Sequence, residues 1–497
     1  MPRNRNLTAV LVAVTAALSL AACGITDTLQ SVAATTNTSP ATQDGTVTST
    51  GSTAGIQSHA QADDVDYDAA SAITVTLADA GTTASGAGVS VDGASVTITD
   101  PGTYVLTGTL SNGTVVVDSA AEGKVRLVLD DASVTNSAGA AINVVAADEV
   151  VVVLAEGSTN VVADGTGYDT SAEDAPNAAL FSMADLTLGG TGSLTVTGNT
   201  NDGLASKDGL VILGGTITVT AVDDAIRGKD YVIVEDGVLD LTSEQDGLKS
   251  DNDTAGSLGG IEVHAGAITI KAGDDGIHAE GAVTISGGTV TVARATEGLE
   301  GSDITISGGE ISVTSSDDGI NGTTGTSTGG GGGGGGMGDD GSRVVISAGT
   351  LTINAEGDGL DSNGSLEISG GTTTVFGPSG NGNGSLDSNG GISVTGGTLI
   401  AAGSAGMAEA PEAGSSQSFV QANVSIRAGQ EVQVRSGETV LASYTAAKGA
   451  ANLVVSAPGL TAGQSYDIYV DGTKVGSATA GQATGGGMGG GGMGKRP

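Results

Sequence analysis

From about Asp63 onward the chain runs in short bursts of alternating apolar and polar residues, each stopped by glycine. Leu210-Val-Ile-Leu-Gly-Gly-Thr-Ile-Thr-Val219 and Val283-Thr-Ile-Ser-Gly-Gly-Thr-Val-Thr-Val292 show the pattern, with β-branched alternation on both sides of a Gly pair. Alternation of this kind predicts strands, and no stretch of the body has a convincing helical period.

The bursts repeat. A turn motif recurs as Asn-Asp-Gly-Leu (201–204), Asp-Asp-Ala-Ile (223–226), Gln-Asp-Gly-Leu (245–248), Asp-Asp-Gly-Ile (274–277), Thr-Glu-Gly-Leu (296–299), Asp-Asp-Gly-Ile (317–320) and Gly-Asp-Gly-Leu (357–360). Its closing apolar residues Leu204, Ile226, Leu248, Ile277, Leu299, Ile320 and Leu360 lie 22, 22, 29, 22, 21 and 40 apart. The two long intervals hold insertions, at 250–260 and at 323–341 with its run of glycines. A period near 22 is too short for helical pairs or propeller blades, and the fixed Leu and Asn of leucine-rich repeats are absent. The prediction is an all-β, single-stranded parallel β-helix over 63–413, one coil per repeat. Its first part, to about Asp164, repeats more weakly and is expected to cap or begin the solenoid, with strand patterns at Val89–Ile98, Tyr104–Leu110 and Val125–Leu129. Residues 414–484 change pattern. Asn423–Val434, Thr439–Tyr444, Asn452–Ser456 and Tyr466–Val470 predict a small antiparallel module or cap, and 485–497 is a Gly-rich tail.

The N-terminus reads as an address. Arg3 and Arg5 precede an uncharged apolar run, Leu7 to Leu20, too short to span a bilayer comfortably and suited to a signal peptide over 1–22. It ends in Leu20-Ala-Ala-Cys23-Gly24, which is similar to the lipobox of bacterial lipoproteins, and Cys23 is the only cysteine of the chain. Cys23 is therefore the expected lipidation site, the protein is expected to be exported and lipid-anchored at the cell surface, and 23–62, rich in Ser, Thr, Ala and Gln, is the expected stalk. A lone cysteine forms no intramolecular disulfide, so rigidity must come from hydrogen bonds, packing or metal.

Charge narrows the function. The 497 residues carry 56 acidic and 17 basic side chains, a net charge of −39 that becomes −41 without the leader's two arginines. Such a surface repels a phosphate backbone, so nucleic acid is excluded as a partner. Aromatic residues are 2% and Trp is absent, which argues against a broad stacking platform. A monomer is expected.

Stacked coils place equivalent residues above one another. Asp202, Asp224, Asp246, Asp275, Glu297, Asp318 and Asp358 then form a column, and Asp223, Asp274 and Asp317 flank it. Two carboxylates about 4.8 Å apart repel by roughly 3–4 kcal/mol at an effective dielectric of 20, so the column needs solvation, protons or a divalent cation between coils. Calcium suits hard oxygens in flexible geometry, whereas three histidines and one cysteine make zinc or copper improbable. A single Asp-Gly is ordinary turn chemistry; the doubled acids point to calcium. Lys207, Lys229 and Lys249 follow the motif closely, beside Asp208, Asp230 and Asp251. They either neutralise the column or contact an anionic ligand.

Together these residues resemble the bacterial carbohydrate-binding β-helix lipoproteins, over about Ile73 to Tyr469. The landmarks are Gly102-Thr-Tyr-Val-Leu-Thr-Gly108, Val125-Arg-Leu-Val-Leu129, Asn201-Asp-Gly-Leu-Ala-Ser-Lys-Asp208, Asp223-Asp-Ala-Ile-Arg-Gly-Lys-Asp230 and Asp246-Gly-Leu-Lys-Ser-Asp-Asn252. The resemblance implies a right-handed parallel β-helix resembling pectate lyases, calcium at Asp-rich turns, and binding of cellulose and acidic pectin-like sugars. Carried over, it implies calcium at Asp202, Asp223, Asp224, Asp230, Asp246, Asp251, Asp274 and Asp275, with Ala225 departing from the motif's Gly. The leading expectation is a non-catalytic, calcium-dependent polysaccharide binder using Lys207, Lys229 and Lys249. The alternative is a calcium-dependent polysaccharide lyase with Lys249 or Lys229 as base, its pKa depressed by a nearby cation. A third is a structural stalk that binds calcium only for rigidity.

Overall fold

The 22-residue period reappears as strand register. Leu204 stacks on Ile226, Ile226 on Leu248, Leu248 on Ile277, and the series continues through Leu299, Ile320 and Leu360 to Leu386. All eight side chains are fully buried, each burial worth about 1.5–3 kcal/mol. The computed structural model describes residues 55–172, 174–254, 258–325 and 338–484, and among these every regular element is a strand. The expected signal peptide, Cys23 and the Gly-rich tail lie outside the described residues, as do parts of the stalk and of both insertions.

Each coil has three short strands, forming three faces of a parallel β-solenoid. In one coil these are Thr216–Ala221 on the first face, Ile226–Gly228 on the second and Tyr231–Val234 on the third; in the next they are Val238–Ser243, Leu248–Ser250 and Gly260–Val263. Counterparts pair in parallel from coil to coil. In two later coils the second and third strands fuse into Ile277–Ile285 and Leu299–Ile306. The first face contributes its own inward file, Val196, Val219, Leu241, Ile270, Val292, Val313, Ile353, Val375. The core is thus a bundle of aliphatic columns, which explains why so few rings suffice.

Two glycine positions are dictated by geometry. A Cβ at Gly203, Gly247, Gly319 or Gly359 would come within 2.4 Å of the inward side chain of Val219, Ile270, Ile353 or Val375, so the turn motif needs Gly for close approach. The corner between the third and first faces has φ of 102° at Gly215, 79° at Gly288 and 85° at Gly309, a region costly for residues with a Cβ.

The start and end differ from expectation in detail. Val89–Ile98 is not one strand but an antiparallel hairpin, Val89–Asp92 with Ser95–Ile98, turned at Gly93 with φ 62°. Beside it Ile73–Ala78, Gly102–Leu110 and Lys124–Thr135 already pair in parallel. At the far end Ala450–Ser456 pairs antiparallel with Thr398–Gly403 of the last coil and with Phe419–Ile426. Four further strands, Glu431–Ser436, Thr439–Thr445, Ser465–Val470 and Thr473–Thr479, form a separate antiparallel sheet. The expected Asn423–Val434 strand is divided between the two sheets.

Residues 55–62, expected within the stalk, instead lie against the third face. Ile56 and Ala60 pack on Val211, Tyr231 and Ile233. Ile56 N–H donates to Glu262 Oε1 at 2.8 Å, and His59 bonds through Nδ1 to Tyr231 Oη at 2.7 Å and through Nε2 to Thr187 Oγ1 at 2.9 Å. Further on, Val65 packs on Val128, Val151 and Val153, and buried Asp64 receives Lys124 Nζ at 2.5 Å. The segment crosses successive coils as a strap over outward-facing apolar residues, which is why it leaves solvent despite its linker-like composition.

Candidate functional site

The acidic column sits at the corner where the chain enters the second face. Asp202, Asp224, Asp246 and Asp275 are all buried. Backbone amides hold them: Asp224 N–H donates to Asp202 Oδ1 (3.3 Å), Asp246 N–H to Asp224 Oδ1 (3.1 Å) and Asp275 N–H to Asp246 Oδ1 (2.9 Å). The device recurs later, with Asp358 N–H on Asp318 Oδ1 (2.6 Å) and Gly384 N–H on Asp358 Oδ1 (2.5 Å). The carboxylates of Asp202, Asp224, Asp246, Asp318 and Asp358 thus each tie their coil to the next, a structural role that the turn motif alone did not reveal.

The second oxygens face a column of which sequence reasoning singled out Lys249 alone. The strand after each turn points its first residue inward and its next outward, so Ala205, Arg227, Lys249, His278, Glu300, Asn321, Asp361 and Asp387 stack on the outside. Lys249 Nζ lies 2.8 Å from Asp246 Oδ2 and 3.4 Å from Asp224 Oδ2. Arg227 forms a two-pronged pair with Asp251 (2.5 and 3.2 Å) and lies 3.8 Å from Asp202 Oδ2. His278 Nδ1 meets Asp275 Oδ2 at 2.8 Å. The signal available was positional, one residue past the closing apolar one, and alignment on the aspartates obscured it.

Burial raises Asp202 well above the usual carboxylate range and lifts Asp224 to about 6 against the pull of Lys249. It also raises Asp275, opposed by the His278 bond, while that bond carries His278 up to about 9. Burial alone would lower Lys249, but Asp224 and Asp246 outweigh it and hold the ammonium above an ordinary lysine. A depressed base at Lys249 is therefore not what the structure provides. Lys229 is exposed. The lysine that is lowered is Lys207, by burial and then by Arg227 and Lys229; it lies 6.0 Å over the Phe181 ring.

The eight expected calcium ligands do not form one set. Asp202, Asp223 and Asp224 converge, with ligand oxygens within 4.8 Å of one another. Asp246 and Asp275 converge with His278. Asp251 is committed to Arg227, and Asp274 is exposed. Asp230 stands at the opposite corner of the second face, bonded to Asn252 Nδ2 at 2.5 Å and beside Asp208, which burial, Asp185 and Asp230 raise to about 6. Buried Asn177 donates to Asp202 Oδ2 at 2.7 Å, while its own Oδ1 is buried without a partner.

Residues 92–341, half of the chain, match the family model of carbohydrate-binding domain-containing proteins. The chain belongs to that family. A carbohydrate-binding domain-containing protein of Acetivibrio thermocellus is 40% identical over 136 residues, 27% of this chain and 48% of the relative, so the chain spans about half the length of the curated relative it matches. A solved structure, the polysaccharide lyase-like protein from C. thermocellum as a gadolinium derivative, is similar at 31% identity with a TM-score of 0.43, covering 48% of this chain and 93% of that one. The family match includes the column from Asp202 to Asp318 and stops before Asp358.

Proposed function

We infer that this carbohydrate-binding family member holds an acidic polysaccharide along the outer surface of the second face, with calcium as cofactor. The observation that carries the reading is the file Arg227, Lys249, His278, one cation per coil on three successive coils of a chain with net charge −39. A polymer laid along the solenoid axis meets these groups at a spacing of about 4.8 Å, the distance between stacked strands. Carboxylates fix each cation in place, so little side-chain entropy is lost on binding. Calcium fits the first cluster: Asp202, Asp223 and Asp224 offer only oxygens, and Asn177, which bonds Asp202, keeps a buried Oδ1 without a partner. When bound there, the ion offsets the acidity that otherwise repels a uronate.

The remaining expectations belong to the same proposal: right-handed winding, export, and a lipid anchor at Cys23. A lyase alternative has to move its base, because Lys249 is held protonated by two carboxylates whereas Lys207 is lowered. Titrating polygalacturonate into the full chain in a calorimeter, with calcium and then with a chelator, tests the reading. Saturating heat that vanishes with the chelator is expected. Heat that persists after each injection means turnover and overturns the non-catalytic assignment, and silence under both conditions overturns acidic-glycan binding.

A further inference from the structure

On the first face, the strand Thr289–Ala295 carries one residue more than its neighbours. Ile270 stands opposite Val292 but Lys271 opposite Arg294, which leaves Ala293 extra; on the other side Val292 faces Val313 and Ala295 faces Ser315. The pairings of this face before and after it keep an unbroken register. A bulge of this kind bends its strand and re-aims the side chains around it. Here it adjoins an open cleft of about 390 Å3, lined by Arg294, Thr296, Thr314, Ser316, Asn354 and Glu356. Those residues belong to three successive coils, and Ala272 and Gly273 of a fourth complete the lining. At about 4.8 Å per coil the cleft runs roughly 14 Å along the solenoid axis, a shape that suits an extended chain.

Its lining differs in kind from the charged column of the second face. One base and one acid, Arg294 and Glu356, stand among hydroxyls and an amide. Glu356 is already met by Lys448 Nζ at 3.1 Å, whereas exposed Arg294 makes no ion pair among the described residues. Asn354 has an Oδ1 that is buried without a partner, and an acceptor left so is costly. That acceptor decides the chemistry of the ligand. It needs an O–H or N–H donor, which a carboxylate lacks and a sugar hydroxyl supplies. The guanidinium needs an acceptor, and the same hydroxyls provide it.

We propose that this cleft is a second carbohydrate site, which takes a short, neutral, β-1,4-linked oligosaccharide without calcium. The linkage follows from shape, because β-1,4-linked pyranoses form straight ribbons and the cleft crosses stacked coils along the axis. The absence of a metal requirement follows from the lining, since none of the ligand clusters among the described residues includes a residue of the cleft. Asn354 and Glu356 lie beyond residues 92–341, so the cleft is built partly from chain that the family match does not reach. The proposal does not rest on the acidic-glycan reading, whose cations stand on another face.

Cellotetraose and xylotetraose, titrated separately in a calorimeter into the full chain in excess chelator, test it. The chelator silences any site that needs calcium. Saturating heat with at least one tetrasaccharide is expected. Arg294→Gln should weaken that binding about 10-fold, the scale of a lost hydrogen bond to a charged group. Asn354→Leu removes the lone acceptor at similar volume. Its binding should fall by a comparable factor while its melting temperature holds or rises, a combination that a purely structural asparagine would not give. Arg294 is exposed, so its variant decides if Asn354→Leu fails to fold by circular dichroism. Silence with both tetrasaccharides, or unchanged affinity in either folded variant, overturns the proposal. The polygalacturonate titration with calcium reads the second face, so either reading can fail without the other.

Discussion

The second face carries one backbone device with two electrostatic solutions. In the earlier coils the buried Asp202, Asp224 and Asp246 accept the next coil's amide, and Arg227, Lys249 and His278 stand over a column that ends in Asp275. In the later coils Asp318 and Asp358 use the same amide bond, but the outer column holds Asn321, Asp361 and Asp387. Burial there is answered by protons: Asp318 rises to about 7, Asp358 to about 6, Asp361 to about 8 and Glu409 to about 7. An amide ladder can therefore position a carboxylate column by itself, and burial raises the carboxyls in both halves, while the outer residue one step past the turn sets which charge faces the column.

Removing the ladder carboxylate should break the two halves unequally. Asp246→Ala leaves the Asp275 amide without its acceptor and Lys249 with one carboxylate fewer. An unsatisfied buried donor costs about 1–3 kcal/mol and a disrupted ion pair adds to it, so a total of roughly 2–4 kcal/mol is expected. Asp318→Ala also orphans an amide, that of Asp358, but it deletes a carboxyl that burial already disfavours, and about 1–2 kcal/mol is expected. Denaturant unfolding read by hydrogen exchange in each half measures both, and equal losses would show that the outer cations add nothing.

The halves should also part with pH. The later carboxyls have folded pKa values of about 6 to 8, against about 4 when unfolded. Between those limits the folded state holds protons that the unfolded state has released. Stability is then fully present below about pH 4 and is lost as pH rises through the folded values. Raising pH from 5 to 8 is expected to destabilise the later coils by several kcal/mol, at about 1.4 kcal/mol per unit for each group before solvent screening, read as lost exchange protection around Leu360. Asp361→Asn should flatten that slope. His278, lifted to about 9 from 6.5, contributes in the same direction at the junction, its share lost only as pH climbs from about 6.5 through 9.

How much of this could be read from the chain follows the range of the interactions. The period was legible because each coil buries one apolar residue directly on the last, so the spacing of Leu204, Ile226 and Leu248 is the register itself. The aspartate column was legible for the same reason. The outer column was not, because Arg227, Lys249, His278, Glu300, Asn321, Asp361 and Asp387 share a position and no chemistry. Lys207 and Lys229 looked equivalent to Lys249 by proximity to the motif, yet they stand two residues further on, past the end of the short strand. The strap at 55–62 was hidden by composition, since its contacts with Tyr231 and Glu262 span more than 170 residues.

Giving the later half a cation of its own sharpens the comparison. Asp361→Lys places an ammonium one strand on from Asn321, at the outer position that Lys249 fills beside Asp246. It removes one carboxyl and pairs Asp318 and Asp358, both of which Asp361 now neighbours. At pH 8 the later coils should gain roughly 1 kcal/mol, the scale of a partly exposed pair, and lose much of their pH slope. An unchanged midpoint at pH 8 would show that the lysine side chain does not settle over the column.

The smallest effect separates the column from its rim. Asp274 and Asp275 are adjacent acids of one turn, but Asp274 is exposed whereas Asp275 is buried, accepts His278 and donates its amide to Asp246. Asp274→Ala retains the backbone carbonyl that accepts the Thr296 amide, so its cost should fall within about 0.5 kcal/mol, as for surface changes generally. Asp275→Ala removes the partner of a half-buried imidazole and should cost several times more. Thermal melts of the two variants side by side measure the ratio. Equal shifts would place the stabilising charge on the rim, and the description of a buried column neutralised from outside would have to be given up.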